Sequence, residues 1–384
     1  VAFANGERVA QWQAQGRHYF TYRAPTPIKF NFYFNSGVYH LYTTRWEGIP
    51  IKIYHLPAHR HNLASIAGGI QAALTYNHQL LGHGPEGAIR AIEYPLTEGS
   101  FSTLKSDALI LSESVLGVNP QPGGKLNLPF YIAAHEMTHH WWGNALMPRA
   151  AKGAHLLTES LTEYTTLQIF RQRFGAAQAR AFLEVQHRRY FSGRAQIGLP
   201  EPPLFLVEPG QEYLSYGKGA IALNAIAQAL GPEAFEEIIA SFFVAHKVGN
   251  PYPTAADFAA QLKRAAAPAA QPLIEEWLER AVLYDAILEE GEKTLLGPNR
   301  WALAARYRIQ AFEREQPLPE GGQAHFGLGV YNQAGEQLAQ VTLPAGKTQG
   351  QVDITLTEKP YRIVLDPDFL VLDKNRNNNR LILD

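Results

Sequence analysis

The stretch YIAAHEMTHHWW, Tyr131 to Trp142, decides how the chain is read. On a helix of 3.6 residues per turn the fourth residue onward is rotated by only about 40°, so His135 and His139 share one face. Two imidazoles one turn apart can hold a single zinc ion, and Glu136, next to the first, can reach a water on that metal as general base. That is half a site, because catalytic zinc takes three protein ligands and keeps an open position for water. The third is sought in LLTESLTEYTTLQIF, Leu156 to Phe170, itself helical in pattern. A helix, a turn through MPRAAKGA and a second helix would bring Glu159 back to the metal. Glu163, one turn further along the same face, is the competitor; it could instead accept a hydrogen bond from a ligand imidazole and fix its tautomer. His140 points about 100° away on the helix, which suits a role beside the metal or at the surface.

Composition leaves room for such a site and closes others. The chain has 384 residues, 46% hydrophobic and 18% charged, enough for two or three domains with buried cores. Lys plus Arg, 34, nearly balance Asp plus Glu, 35, so no overall field recruits nucleic acid or an anionic membrane surface. Cysteine is absent, so a zinc site must use imidazole and carboxylate ligands. No apolar run approaches the roughly 20 residues that span a bilayer. The sequence starts with Val and runs almost at once into strand-like text, the mark expected of a piece of a longer protein.

Outward from the centre, Arg17 to His55 is rich in Tyr, Phe, Thr and Ile with partial alternation, which predicts strands. ASIAGGIQAALTYNHQLLG then spaces its apolar residues as an amphipathic helix ending at Gly82. Ala88 to Glu93 and Ala108 to Leu111 read as strands, and Leu128 to Ala265 as successive helices. AAAPAAQP breaks one helix before LIEEWLERAVLYDAILEE, and the composition shift at GEKTLLGPN places a boundary near Gly291. Beyond it, short alternating runs separated by turn residues predict an antiparallel sandwich. In DKNRNNNRLILD the offsets of Asp373, Asn375, Asn377 and Asp384 are reminiscent of a calcium loop, but the usual Gly and the closing Glu are missing, so turn chemistry is the expectation.

HEMTHHWWGN followed by LTESLTEY resembles the metal signature of the aminopeptidase N family of zinc peptidases, gluzincins with HExxH plus a distant Glu. His135, Glu136, His139, Trp141, Trp142, Gly143, Asn144, Glu159 and Tyr164 fall on its pattern. The family has eighteen residues between the second His and the ligand Glu, and this chain has nineteen. The extra one is read as an insertion in the inter-helix turn, since loops take added length at small entropic cost; the strict spacing would put Thr158, a poor ligand, on the metal. Ser160 stands where the family has Gly. RAIEYP resembles the family segment whose Glu binds the free amino group of a peptide, a role that falls to Glu93. YGKGA resembles the segment whose Tyr hydroxyl faces the developing oxyanion, a role that falls to Tyr216. Lys218 is expected in helix packing or a surface pair.

The resemblance implies an α+β protein: the end of an N-terminal β domain (1–48), a thermolysin-like, mainly helical zinc peptidase domain with a small sheet (49–290) and a β-sandwich (291–384). It implies one zinc ion on His135, His139 and Glu159, with Glu136 as base, and a peptide with a free N-terminus as substrate. Three alternatives stand beside the aminopeptidase: a zinc endopeptidase, an epoxide hydrolase on the same site, and a non-catalytic peptide-binding module retaining the fold. The chain is also similar to the extracytoplasmic peptidase portion of bacterial proteins that fuse a permease with an aminopeptidase; that implies a membrane domain outside this sequence, the alternative location being cytoplasmic.

Overall fold

The computed structural model describes all residues except 25–27, 29–31, 86, 100, 106, 119–125, 198–199, 248–250, 320 and 384. Asp384, the last residue of the calcium-like spacing, lies outside the described residues. The chain divides into two compact units, one of Val1–Met147, Thr165–Ala179 and His246–Pro251, the other of Pro148–Tyr164, Arg180–Ala245 and Tyr252–Asp384.

In the first unit a five-stranded sheet has the order His40–Trp46, Ile49–His55, Ile89–Tyr94, Ala108–Ser112, Thr103–Lys105. The three middle strands run parallel and the outer two antiparallel to their neighbours. Parallel strands covered on both faces read as continuous apolar text, and every residue of Ala108–Ser112 is buried. The expected boundary after residue 48 falls in the turn joining His40–Trp46 to Ile49–His55, where Glu47 and Gly48 have positive φ. The helix Leu63–Leu81 buries Ile66, Ile70, Ala73 and Leu74 and stops at Gly82, whose φ of 62° is left-handed and whose N–H donates to the His78 carbonyl. Against it lies the helix Leu128–Thr138. A Cβ on Gly69 would stand 2.5 Å from the Phe130 carbonyl oxygen, so only glycine lets the two backbones come this close.

The second unit carries the helices Gly219–Leu230, Pro232–His246 (to Ala245 within this unit), Ala255–Ala265 and Gln271–Glu279, followed by strands. Val282–Gly297, Arg300–Glu313 and Gln349–Leu356 form one antiparallel sheet, with Gln316–Pro317 at its edge. Gln337–Thr342, Gly327–Tyr331, Arg362–Leu365 and Arg380–Ile382 form the other. Leu303, Ala305, Leu328, Val330, Ile363 and Leu365 share their core, as in a sandwich of two inward faces.

One reading changes. VLYDAILEE is a strand that continues through Gly291, where the composition shift suggested a boundary; the preceding helix ends at Glu279. The ladder offered by Arg300–Glu313 decides the conformation of a segment whose local pattern suits either element. Gly291 is there for packing: a Cβ would come within 2.8 Å of Leu383 and 2.9 Å of Ile363 in the other sheet.

Candidate functional site

The helix Leu128–Thr138 begins with Asn127, whose side chain accepts from the Phe130 N–H, and has Pro129 in its first turn. It buries His135 and Glu136 and ends with His139 as its C-cap, still in right-handed helical conformation. The two imidazoles converge, Nε2 to Nε2 at 3.1 Å. His139 Nδ1 lies 3.0 Å from the Trp142 carbonyl; a carbonyl only accepts, so Nδ1 carries the proton and a neutral ring turns the Nε2 lone pair toward His135. Ligand atoms about 2.0–2.1 Å from a tetrahedral zinc stand roughly 3.3 Å apart, close to the separation of these nitrogens.

The residues after the helix hold this geometry. Trp141 Nε1 donates to the His83 carbonyl at 2.6 Å, Trp142 Nε1 to Thr165 Oγ1 at 3.1 Å, and Asn144 Nδ2 to the His139 carbonyl at 2.9 Å. Asn77 Nδ2 donates to Thr138 Oγ1 at 3.2 Å. Asn144 so holds the backbone of His139 and the Trp142 carbonyl its ring, while the two Trp indoles tie the segment to His83 and Thr165, and His140 stacks on the His83 ring, off to the side. Burial raises the Tyr94 phenol pKa, the Ser112 hydrogen bond lowers it, and the Glu136 carboxylate raises it further.

Glu159 sits in a π-helical turn, Leu156–Ser160, and Tyr216 in a second, Tyr213–Lys218. A π turn takes one residue more than an α turn, so the helix that carries Glu159 offers a second place, beside the loop before it, for the nineteenth residue. Ser160, standing where the family has Gly, is fully buried and donates to the Ser215 carbonyl at 2.7 Å, beside Gly219. One hydrogen bond so joins the two π turns. His135 and His139 belong to the first unit and Glu159 to the second. Two imidazoles, one carboxylate and no thiol are a donor set that fits zinc with a position left open.

Glu163 is buried; its carboxylate accepts from Gln186 Nε2 at 2.8 Å and lies 3.9 Å from Arg189 Nη1. The Arg189 guanidinium stands 4.9 Å over the Tyr216 ring. Gln186 and Arg189, on the helix Ala176–Ile197, are residues that spacing did not announce. Glu93 is the last residue but one of the strand Ile89–Tyr94, its side chain wholly covered; Oε2 accepts the Leu56 N–H at 2.6 Å and Oε1 is bonded to His59 Nδ1. Lys218 is not at the surface: it is fully buried, 3.3 Å from Glu201 and 3.1 Å from the Arg280 carbonyl. Burial pushes its ammonium pKa down, and Glu201 opposes that. Asp373 and Asn375 each accept the N–H two residues on, which is turn chemistry.

Residues 125–277 match the model of the peptidase family M1 domain. The crystal structure of Legionella pneumophila aminopeptidase A in complex with aspartic acid aligns with a TM-score of 0.64 at 16% identity, over 97% of this chain and 42% of that one. A mutant M1 zinc metallopeptidase from Deinococcus radiodurans aligns with a TM-score of 0.55 at 17% identity, over 73% of this chain and 61% of that one. At these identities the two structures establish the fold, and the chain spans less than two thirds of each. No curated protein matches the chain. No helix among the described residues is long and apolar enough to cross a membrane.

Proposed function

We propose, for a chain whose residues 125–277 match the peptidase family M1 domain, that it is a zinc-dependent aminopeptidase releasing one amino acid from the free N-terminus of a peptide. His135, His139 and Glu159 hold the zinc ion. Zinc, when bound, polarises the scissile carbonyl and lowers the pKa of a water towards about 7. Glu136 accepts that water's proton on a carboxylate oxygen as the water attacks the carbonyl carbon, and delivers it to the departing amide nitrogen. The Tyr216 phenol donates to the oxygen that gains charge in the transition state, an interaction worth more there than in the ground state. Arg189, over the ring of Tyr216 and 3.9 Å from Glu163, steadies that donor.

The observation that carries the exopeptidase reading is Glu93. A carboxylate with no exposed side-chain surface needs a cation. An ammonium is such a cation, and pairing with it selects chain ends over internal bonds. The division into 1–48, 49–290 and 291–384 belongs to the same proposal, with the sandwich's first strand crossing the second boundary.

The test is hydrolysis of aminoacyl-arylamides beside the same compounds with blocked amines, using zinc-loaded protein and a Glu136→Gln control. The expected result is cleavage of the free-amine set alone, lost in the control. Equal cleavage of the blocked set replaces the reading with an endopeptidase, and cleavage of neither by zinc-loaded protein replaces it with a binding module.

A further inference from the structure

The strands Arg300–Glu313 and Gln316–Pro317 are joined by a two-residue turn, Arg314 and Glu315, with Glu313 paired to Gln316. Both turn residues have positive φ, 49° and 63°. Such a turn is the usual place for Asn-Gly, and a long side chain persists in the left-handed conformation only where its surroundings hold it there. For Glu315 the hold is visible: its carboxylate lies 2.5 Å from Arg194 Nη2 and 2.8 Å from Lys374 Nζ. Arg314 has no such hold. Its guanidinium makes no hydrogen bond or ion pair among the described residues. Its charge acts on Glu313 only through space, because both oxygens of Glu313 are engaged by Arg280, at 3.1 and 2.8 Å.

Arg314 lines a cavity of about 280 Å³ whose lining residues all belong to the second unit. Pro200, Ala281 and Leu283 give it apolar walls, and Tyr190, Arg194 and Glu201 a polar side. The volume is just under the roughly 300–1,000 Å³ of drug-sized ligand sites, which suits a small molecule and excludes a long peptide. The carboxylate in the lining is already satisfied: Glu201 accepts from the Tyr190 hydroxyl at 2.6 Å, Arg194 Nε at 3.2 Å and Lys218 Nζ at 3.3 Å. With direct ion-pair partners included, Arg194, Arg314, Lys218 and Lys374 stand against Glu201 and Glu315, so the surroundings carry excess positive charge. We propose that this cavity binds a small organic carboxylate. The apolar body of the ligand lies against Pro200, Ala281 and Leu283, and its carboxylate pairs with the Arg314 guanidinium, whose planar fork matches two carboxylate oxygens. A phosphate ion would use the guanidinium and leave the apolar walls without a partner. No proposed zinc ligand or catalytic residue lines the cavity, so this site stands independently of the aminopeptidase reading.

The experiment is titration of the zinc-loaded chain, native and Arg314→Gly, followed by ligand-observed NMR. The probes are 3-phenylpropionate, its uncharged amide 3-phenylpropanamide, and inorganic phosphate. The native chain should bind the acid with a Kd of about 1 mM or tighter, and the amide and phosphate about tenfold or more weakly. Arg314→Gly should weaken binding of the acid by about tenfold or more. Glycine takes the left-handed turn without strain, so the same change should not lower the thermal midpoint, and lost binding then reports a lost contact in a folded chain. Arg314→Lys, which keeps the charge without the planar fork, should bind the acid with intermediate affinity. Zinc also takes carboxylate ligands, and the glycine variant separates the two sites, because an acid held on the metal is untouched by Arg314→Gly. Unchanged affinity in that variant overturns the proposal. So does binding of the amide or of phosphate as tight as that of the acid, or no binding of the acid to the native chain up to about 10 mM.

Discussion

Gly219→Ala places a methyl group where two π turns meet. The new Cβ would stand 2.2 Å from Ser160 Oγ, 2.6 Å from its Cβ and 3.2 Å from its Cα. Ser160 is fully buried and its hydroxyl is engaged with the Ser215 carbonyl, so it cannot swing away without giving up that bond. Overpacking of this kind costs about 1–3 kcal/mol. Gly219 has ordinary helical angles, φ −57° and ψ −48°, so Ala gains roughly 1 kcal/mol of helix propensity. The net expectation is a loss of up to about 2 kcal/mol in chemical denaturation. Because Ser160 follows the proposed ligand Glu159, zinc affinity measured against a competing chelator should fall by about tenfold or more. In a Ser160→Gly background the obstructing side chain is gone, and the same Gly219→Ala change should become neutral or stabilising. An equal loss in both backgrounds, or unchanged stability and zinc affinity in the single variant, would refute the argument that this contact sets the position of Glu159.

Three further outcomes follow from the same contacts. Tyr216→Phe removes the proposed oxyanion donor and should lower kcat by about 10²–10³ with KM nearly unchanged, read by steady-state kinetics. Lys218→Met leaves Glu201 buried with Arg194 and Tyr190 but without the ammonium, and should cost about 3 kcal/mol of stability in denaturant titration. Asp366 and Asp373 are raised from 3.8 to about 6, chiefly because burial disfavours their charged forms. The native chain therefore holds more protons than the unfolded one between about pH 4 and 6, and this contribution to stability is present at low pH and lost as pH rises through 6. Zinc-free native protein should lose stability relative to Asp373→Asn as pH goes from 4 to 6, and the difference should stay constant above that.

Local pattern was sufficient where one periodicity or one spacing governs. The four-residue interval of His135 and His139, the apolar spacing that ends at Gly82 and the alternating runs after Arg300 are each consequences of a single element's geometry, so they are legible without neighbours. VLYDAILEE was not, because it suits a helix or a strand until the partner Arg300–Glu313 is present. The extra residue before Glu159 was visible as a count, but its place was not: whether a residue enters a loop or a π turn depends on what packs against the helix, here Ser215 and Gly219.

What the sequence by itself determined is the one-turn spacing of His135 and His139, the order of the elements and the absence of any thiol, since these follow from residue type and spacing along one chain. The tertiary structure alone decided which groups hold those residues. The Trp142 carbonyl that selects the His139 tautomer, the Arg189 guanidinium over Tyr216, the buried Lys218–Glu201 pair and His59 between Glu93 and Glu113 all depend on contacts between segments brought together by folding. A hydrogen bond or an ion pair is set by position in space, and distance along the chain carries no record of it.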